Sequence, residues 1–353
     1  MSAMRADFPV LERLAYLNAG SVGPLSRGTA DVMAEWERAG LTGGRGAHSS
    51  FAARLELRER LRTALADMLG VPPENLALTG STTDGCHIVL AGLGLRPEDE
   101  VVTTDAEHIG LLGTLGSTGA AIRVAPVLGR SAPEALRAVV DAVTPRTRLI
   151  ALSHVLWLNG QVLPVADIKR ETGLPVLVDG AQSVGAIPVR VTDVDYYTVS
   201  GQKWLCGPEL TGALYVVDPE ALRPRMHVDP ATTGLPERTG ASRLEMLLHP
   251  GALSAGLLHA IEELPPDAFE RAAELTRHCR QALLTSGLNV LTEADQGTLV
   301  SFTTALTPED AVSSCEEHGV VIRALPNGWL RASCGWWNSV EDVDRLVASL
   351  LVD

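Results

Sequence analysis

The chain is short of lysine. Lys169 and Lys203 are the only two among 353 residues, and every other basic side chain apart from histidine is an arginine. Chemistry that needs a primary amine side chain therefore has two candidates. Aromatics make up only 4% of residues, so the core must be built mainly from Leu, Val and Ala. Positive charge is scarce too: 29 Lys plus Arg stand against 43 Asp plus Glu, for a formal net charge of −14. Such a field repels nucleic acid and anionic membranes, and argues against both as partners. No apolar run approaches the roughly 20 residues that span a bilayer, and the N-terminus has no signal-peptide-like apolar stretch. The five cysteines (Cys86, Cys206, Cys279, Cys315 and Cys334) are scattered and contain no Cys-x-x-Cys pair. That speaks against a disulfide framework and against a structural zinc site. The histidines show no metal-ligand spacing, so no metal is assigned. A cytoplasmic protein is the default expectation.

What is present is an alternation. Residues 52–69 carry apolar side chains at helical spacing (Leu55, Leu61, Leu65, Met68) and stop at Gly70, a residue suited to end a helix in the left-handed conformation. Short apolar runs follow at 76–78, 100–103, 122–127, 149–153, 176–179, 196–199 and 213–217. Helical patterns separate most of them, at 108–115, 132–143 and 166–171. Strands alternating with helices predict a mostly parallel sheet covered on both faces. After about residue 219 the pattern changes. A Pro-, Thr- and Gly-rich loop covers 223–241, and two helices begin near 252 and 267. Strands are then expected at 288–291, 299–303, 320–323 and 329–333, with helices at 308–318 and 340–351. This part reads as a smaller α+β domain. The length suits one large domain with an appendage, or two ordinary domains.

Four places carry candidate chemistry. Lys203 lies just after an apolar strand and before Trp204 and Leu205. Desolvation there disfavours the ammonium and makes the amine nucleophilic toward a carbonyl; the competing reading is a surface lysine with its head in water. Lys169, on a polar helical face, fits the second description. Asp179 ends a buried strand, where open α/β sheets bind ligands, although an Asp there also caps turns. The segment Thr79-Gly-Ser81-Thr82-Thr83-Asp84-Gly follows a strand and opens a helix. Its hydroxyls and free N–H groups suit an anion, yet it is neither a Walker loop nor a dinucleotide fingerprint. His108 follows another strand end, placed to stack on a flat ring.

In their order along the chain, Thr82-Thr83, Glu107-His108, Asp179-Gly-Ala-Gln182 and Ser200-Gly-Gln202-Lys203 resemble the class V aminotransferase superfamily of fold type I pyridoxal phosphate enzymes. Within it the chain looks most like the L-cysteine/cystine C–S lyases. The stretches Asn18-Ala-Gly-Ser-Val-Gly-Pro-Leu, Leu152-Ser-His-Val-Leu-Trp157-Leu-Asn-Gly-Gln-Val-Leu-Pro, Val194-Asp-Tyr-Tyr and Ile322-Arg323…Leu330-Arg331-Ala-Ser-Cys carry that closer match. The resemblance implies a large domain over 15–245 with a mostly parallel seven-stranded sheet sandwiched by helices. A small α+β domain would take 1–14 and 246–353. It implies a homodimer, an amino-acid substrate and pyridoxal 5′-phosphate as cofactor.

Carried over residue by residue, the resemblance has Lys203 bind the cofactor and move the substrate Cα proton. Asp179 would pair with the ring nitrogen, Gln182 with the phenolic oxygen, and His108 would stack on the ring. Ser81, Thr82, Thr83 and Ser200 would hold the phosphate. Arg331 would grip the α-carboxylate, a bidentate task suited to guanidinium. Arg323 would meet a distal carboxylate, beside Trp157. Gln202 departs from the superfamily's usual His before the lysine, but an amide also donates a hydrogen bond to phosphate. The segment 227–240, from which a partner subunit usually completes the phosphate site, matches poorly. No cysteine stands at 324–329, where desulfurases carry their sulfur acceptor. The expected reaction is therefore β-elimination from L-cystine or L-cysteine-like amino acids, giving pyruvate, ammonia and a persulfide or sulfide. The alternatives are an aminotransferase, an epimerase or a cysteine desulfurase of the same superfamily. Outside it stand a nucleotide-binding protein or a catalytically idle scaffold.

Overall fold

The segment Val176–Asp179 is buried along its whole length, as a parallel strand covered on both faces must be. It is β6 of a seven-stranded sheet in a computed structural model that describes residues 5–226, 231 and 237–351. The other strands are β2 (Leu76–Thr79), β3 (Glu100–Thr104), β4 (Ala121–Ala125), β5 (Thr147–Ser153), β7 (Tyr196–Ser200) and β8 (Gly212–Val216). Their order is β2-β8-β7-β6-β5-β3-β4. The pairs β3/β4, β3/β5, β5/β6 and β6/β7 are parallel, while β8 runs antiparallel to both β7 and β2. The carboxyl ends of β3, β5, β6 and β7 thus share one edge. From β3 the chain steps outward to β4, and from β5 onward it runs the other way, so the crevice between β3 and β5 is the kind of switch point where such sheets bind ligands. The alternation expected from sequence is present, with helices α3 (Thr82–Leu93), α4 (Ile109–Gly116), α5 (Ala132–Asp141) and α6 (Val165–Thr172) between the strands.

Two helices precede the sheet. The second, α2 (His48–Leu69), ends at Gly70 in the left-handed conformation, as its sequence predicts. The first, α1 (Arg27–Gly43), is capped by Ser26, whose hydroxyl accepts the Thr29 N–H. Sequence patterning misses it for a physical reason. Thr29 is its one fully buried residue, and Val32 and Trp36 touch the core only partly, so it has no wide apolar stripe to read.

The C-terminal part begins with α7 (Gly251–Glu262) and α8 (Ala268–Thr285), followed by α9 (Pro308–Glu317) and α10 (Val340–Leu350). A four-stranded antiparallel sheet has the order β12-β13-β10-β9, formed by Arg323–Ala324, Leu330–Ser333, Leu299–Thr303 and Asn289–Val290. The single strand expected over 320–323 is two. Val320–Val321 (β11) pairs in parallel with β1 (Ala15–Tyr16), whereas Arg323–Ala324 pairs with β13. Buried Ile322 lies at the break. Partner identity is a tertiary property that the apolar run does not encode. Packing also shifts the expected division of domains. Ala15 and Leu17 join the core of the small sheet, while Ala255, Leu257 and Leu258 of α7 join that of the large one. We therefore group α7 with the large part. The segment 227–236, apart from residue 231, lies outside the described residues.

A buried ion cluster fastens the edge of the large sheet. Glu245 accepts from the Leu78 N–H at 2.8 Å and from Arg62, and Arg58 approaches it at 3.1 Å. Burial pushes its carboxyl up, but His249, Arg62 and Arg58 outweigh that and hold it at about 2. Stability from this lowered group is present above the ordinary value of 4.5 and is lost as pH falls from there toward 2. Glu245→Ala strands a buried guanidinium and is expected to cost about 3–5 kcal/mol, measured by urea denaturation at pH 7.

Candidate active site

Strand ends and one tight turn build a small cavity lined by His108, Ser153, Val155, Trp157, Asp179, Ala181, Gln182 and Lys203. Asp179 is the last residue of β6. Its Oδ1 accepts the Ala181 N–H at 2.9 Å, so it caps the turn and faces the cavity at once. The turn needs Gly180: a Cβ there would lie 2.2 Å from the Thr198 carbonyl and 2.4 Å from the Tyr197 ring. Lys203 follows β7 and is half-buried, with no hydrogen bond or ion pair to Nζ among the described residues. Burial pushes its ammonium down, Asp179 opposes this, Arg331 and Arg323 add to it, and the result is about 8. Lys169, by contrast, is tied to Asp195 at 2.7 Å and to the Leu174 carbonyl.

His108 is the N-cap of α4. Its Nδ1 accepts the Gly110 N–H at 3.1 Å, so the ring proton sits on Nε2. Burial, with Lys203 adding, lowers its pKa and keeps the ring neutral. The preceding Glu107 is buried and accepts from Thr104 Oγ1 at 2.6 Å and Ser153 Oγ at 2.5 Å. Burial pushes its carboxyl up to about 7 against those hydrogen bonds. It ties the His108 turn to the end of β5, where Ser153 is the register partner of Asp179. Gln182 donates to the Gly20 carbonyl at 2.8 Å and accepts from Trp204 Nε1 at 3.0 Å. One of its two amide N–H groups is left over for a ligand.

The arginines stand beside this cavity. Arg331 and Arg323 are opposite each other across the β12–β13 ladder, an arrangement that repels unless an anion intervenes. Arg331 is fully buried. Its Nη1 donates to the Trp157 carbonyl at 2.8 Å, while Nε and Nη2 are buried without partners. That pair is the side of a guanidinium that matches a carboxylate with two parallel hydrogen bonds. Burial, with Arg323 adding, lowers Arg331 to about 9, a cost that a bound anion would remove. The Trp157 ring packs edge-on against His108 with centroids 5.2 Å apart, and Arg323 lies 5.9 Å from its centroid. Trp157 Nε1 is also buried without a partner.

Ser81, Thr82, Thr83, Ser200 and Gln202 do not line the cavity but stand at one neighbouring sheet edge. Ser81 caps α3 by accepting the Asp84 N–H; Thr82 and Thr83 form its first turn, where N–H groups lack helical partners. Ser200 and Thr79 both pair with Gly212 across β8. Ser200 Oγ donates to Gln202 Oε1 at 2.9 Å, which leaves the Gln202 amide N–H groups as donors.

Sequence reasoning assigned no role to residues 18–22, and the fold gives them one. The Gly20 carbonyl holds Gln182, and a Cβ on Gly20 would lie 2.7 Å from Arg331 Nη2. Gly20→Ala is expected to displace the Arg331 fork and weaken binding of a carboxylate ligand by up to about 100-fold, measured by calorimetric titration.

Residues 29–346 match the family model described as aminotransferase class-V. The cysteine desulfurase of Enterobacter sp. (strain 638) is 30% identical, with 98% of this chain and 96% of that protein aligned. Two solved structures of the protein C-DES are 29% identical. One, a variant with glycine covalently linked to the PLP cofactor, has a TM-score of 0.91 and covers 98% of each chain. The other is the cystine C–S lyase C-DES with its reaction product cysteine persulfide; its TM-score is 0.90, with 97% of this chain and 98% of that one covered.

Proposed function

Since the chain belongs to the class V aminotransferase family, we propose that it is a pyridoxal phosphate-dependent carbon–sulfur lyase acting on L-cystine and similar amino acids. One observation carries the reading: a small cavity lined by Lys203 and Asp179 adjoins Arg331, whose carboxylate-matching Nε and Nη2 are buried and unpaired. The residues fit the cofactor. Asp179 supplies a buried carboxylate for the ring nitrogen, and neutral His108 a flat partner for the ring face. The spare N–H of Gln182 serves the phenolic oxygen. The first turn of α3 with Ser81, Thr82 and Thr83, together with Ser200 and Gln202, supplies phosphate donors. Lys203 supplies the amine that holds the cofactor. When bound, pyridoxal phosphate supplies an electron sink for negative charge developing at the substrate Cα.

The chain's own groups do the rest. Arg331 fixes the α-carboxylate by its fork, and Arg323 beside Trp157 meets the carboxylate at the far end of a cystine-like substrate. Burial lowers Lys203 Nζ to about 8, so the unprotonated amine that would take the Cα proton becomes abundant in mildly alkaline solution. Asp179 would hold a proton on the ring nitrogen. The Cβ–S electron pair would leave with sulfur as a persulfide or sulfide, and the released three-carbon fragment, now unsaturated, would take up water to give pyruvate and ammonia. All five cysteines are buried and none lines the cavity, which supports release of sulfur as persulfide or sulfide over transfer to an enzyme thiol. We further read the chain as a cytoplasmic homodimer. Exposed Phe51 and Leu55 on α2 and Met246 and Leu248 nearby support a covered face, and light scattering on the eluted protein tests it.

The purified holoenzyme is expected to convert L-cystine to equimolar pyruvate, ammonia and persulfide. Accumulation of pyridoxamine phosphate with alanine would point to an aminotransferase instead.

A further inference from the structure

Arg323 sits on a strand of two residues, Arg323–Ala324, opposite a second guanidinium on Arg331. A long side chain on so short an element, facing a like charge, tends to swing toward solvent. Something must hold it over the cavity. Among the described residues its one hydrogen-bond acceptor is Ser21 Oγ, 2.9 Å from Arg323 Nη1. The Ser21 hydroxyl is itself committed, because its proton goes to Asn18 Oδ1 at 2.8 Å. The direction is forced: Arg323 donates to Ser21, and Ser21 donates to Asn18.

The turn that carries Ser21 is fixed at both ends. The Ser21 N–H donates to the Asn18 carbonyl at 2.9 Å. The Gly20 N–H donates to Ser333 Oγ at 3.1 Å, and the Ser333 N–H to the Leu17 carbonyl at 2.7 Å. Ser333 follows Arg331 on β13 by two residues. Residues 18–22 therefore bind the strand that presents Arg331 and the side chain of Arg323 together. With one donor on Ser21 and its plane near Trp157, Arg323 keeps its other N–H groups for a ligand.

We propose that Ser21 is a positioning residue for substrate choice: it aims Arg323 at the second carboxylate of dicarboxylic substrates. The inference rests on the reading that Arg323 meets that carboxylate, and the test separates the two. The holoenzyme and its Ser21→Ala, Ser21→Thr and Arg323→Ala variants are assayed with L-cystine and with β-chloro-L-alanine, which has one carboxylate.

Ser21→Ala is expected to raise KM for cystine about tenfold, the worth of a hydrogen bond to a charged group. Its kcat for cystine and both constants for β-chloro-L-alanine should stay within about twofold of the parent. Ser21→Thr keeps the hydroxyl and should behave as the parent. Arg323→Ala should show the same substrate-selective loss, only larger. If Arg323→Ala discriminates but Ser21→Ala does not, or if Ser21→Ala harms both substrates equally, the role of Ser21 is overturned. If Arg323→Ala itself does not discriminate, the assignment of Arg323 falls, and that of Ser21 with it.

Discussion

Arg331→Met is expected to lower kcat/KM for every α-amino-acid substrate by about 100-fold or more, mostly through KM, while raising the thermal stability of the ligand-free protein. The kinetic loss follows from the fork. Its Nε and Nη2 are buried and unpartnered, so a substrate carboxylate there gains two charge-assisted hydrogen bonds in a dry site. Truncating one member of such a pair typically costs 2–5 kcal/mol. The stability gain follows from the same fact. An unpaired buried guanidinium opposite Arg323 is a standing penalty in the empty site, and methionine fills the volume without the charge. Arg331→Lys makes the complementary point: it keeps a cation but not the planar fork, and should recover little activity. Steady-state kinetics and thermal melts on the same preparations check both halves. A variant with unchanged KM would remove Arg331 from substrate binding.

The second large effect is at Lys203. Lys203→Ala should fold and lose turnover by a factor on the order of 10⁴, at the upper end of what a positioned proton-transfer group contributes. The described residues offer no substitute. Lys169 is committed to Asp195 at the amino end of β7, whereas Lys203 follows its carboxyl end, and His108 has Nδ1 occupied by the Gly110 N–H. Activity within tenfold of the parent would sink the assignment.

Much of this was legible before the fold was known, for identifiable reasons. Parallel strands buried on both faces leave continuous apolar runs, so the sequence marks β6 to the residue and the other strands of the seven-stranded sheet to within two. In such sheets the residues just after strand ends carry the chemistry, which is why Asp179, His108 and Lys203 stood out. Gly70 could be named as a helix stop because its composition carries its conformation.

What stayed hidden depended on contacts between distant segments. Arg323 and Arg331 face each other only through a cross-strand register. The 320–323 run divides between two sheets. Helix α1 presents too little apolar surface to announce itself. Glu107 was part of a motif, but its place between Thr104 and Ser153 is a matter of burial. The turn at 18–22 was visible as a resemblance and silent as to role, because its function is to join Arg323, Arg331 and Gln182.

The scarcity of lysine makes the central claim testable at one atom. The protein loaded with pyridoxal phosphate is treated with borohydride, which fixes a carbonyl–amine linkage, and then digested and mapped by mass spectrometry. The account predicts a single pyridoxyl adduct, on the peptide containing Lys203, with Lys169 unmodified and the Lys203→Ala protein unlabelled. An adduct on Lys169, or stoichiometric labelling of the Lys203→Ala protein, would contradict it.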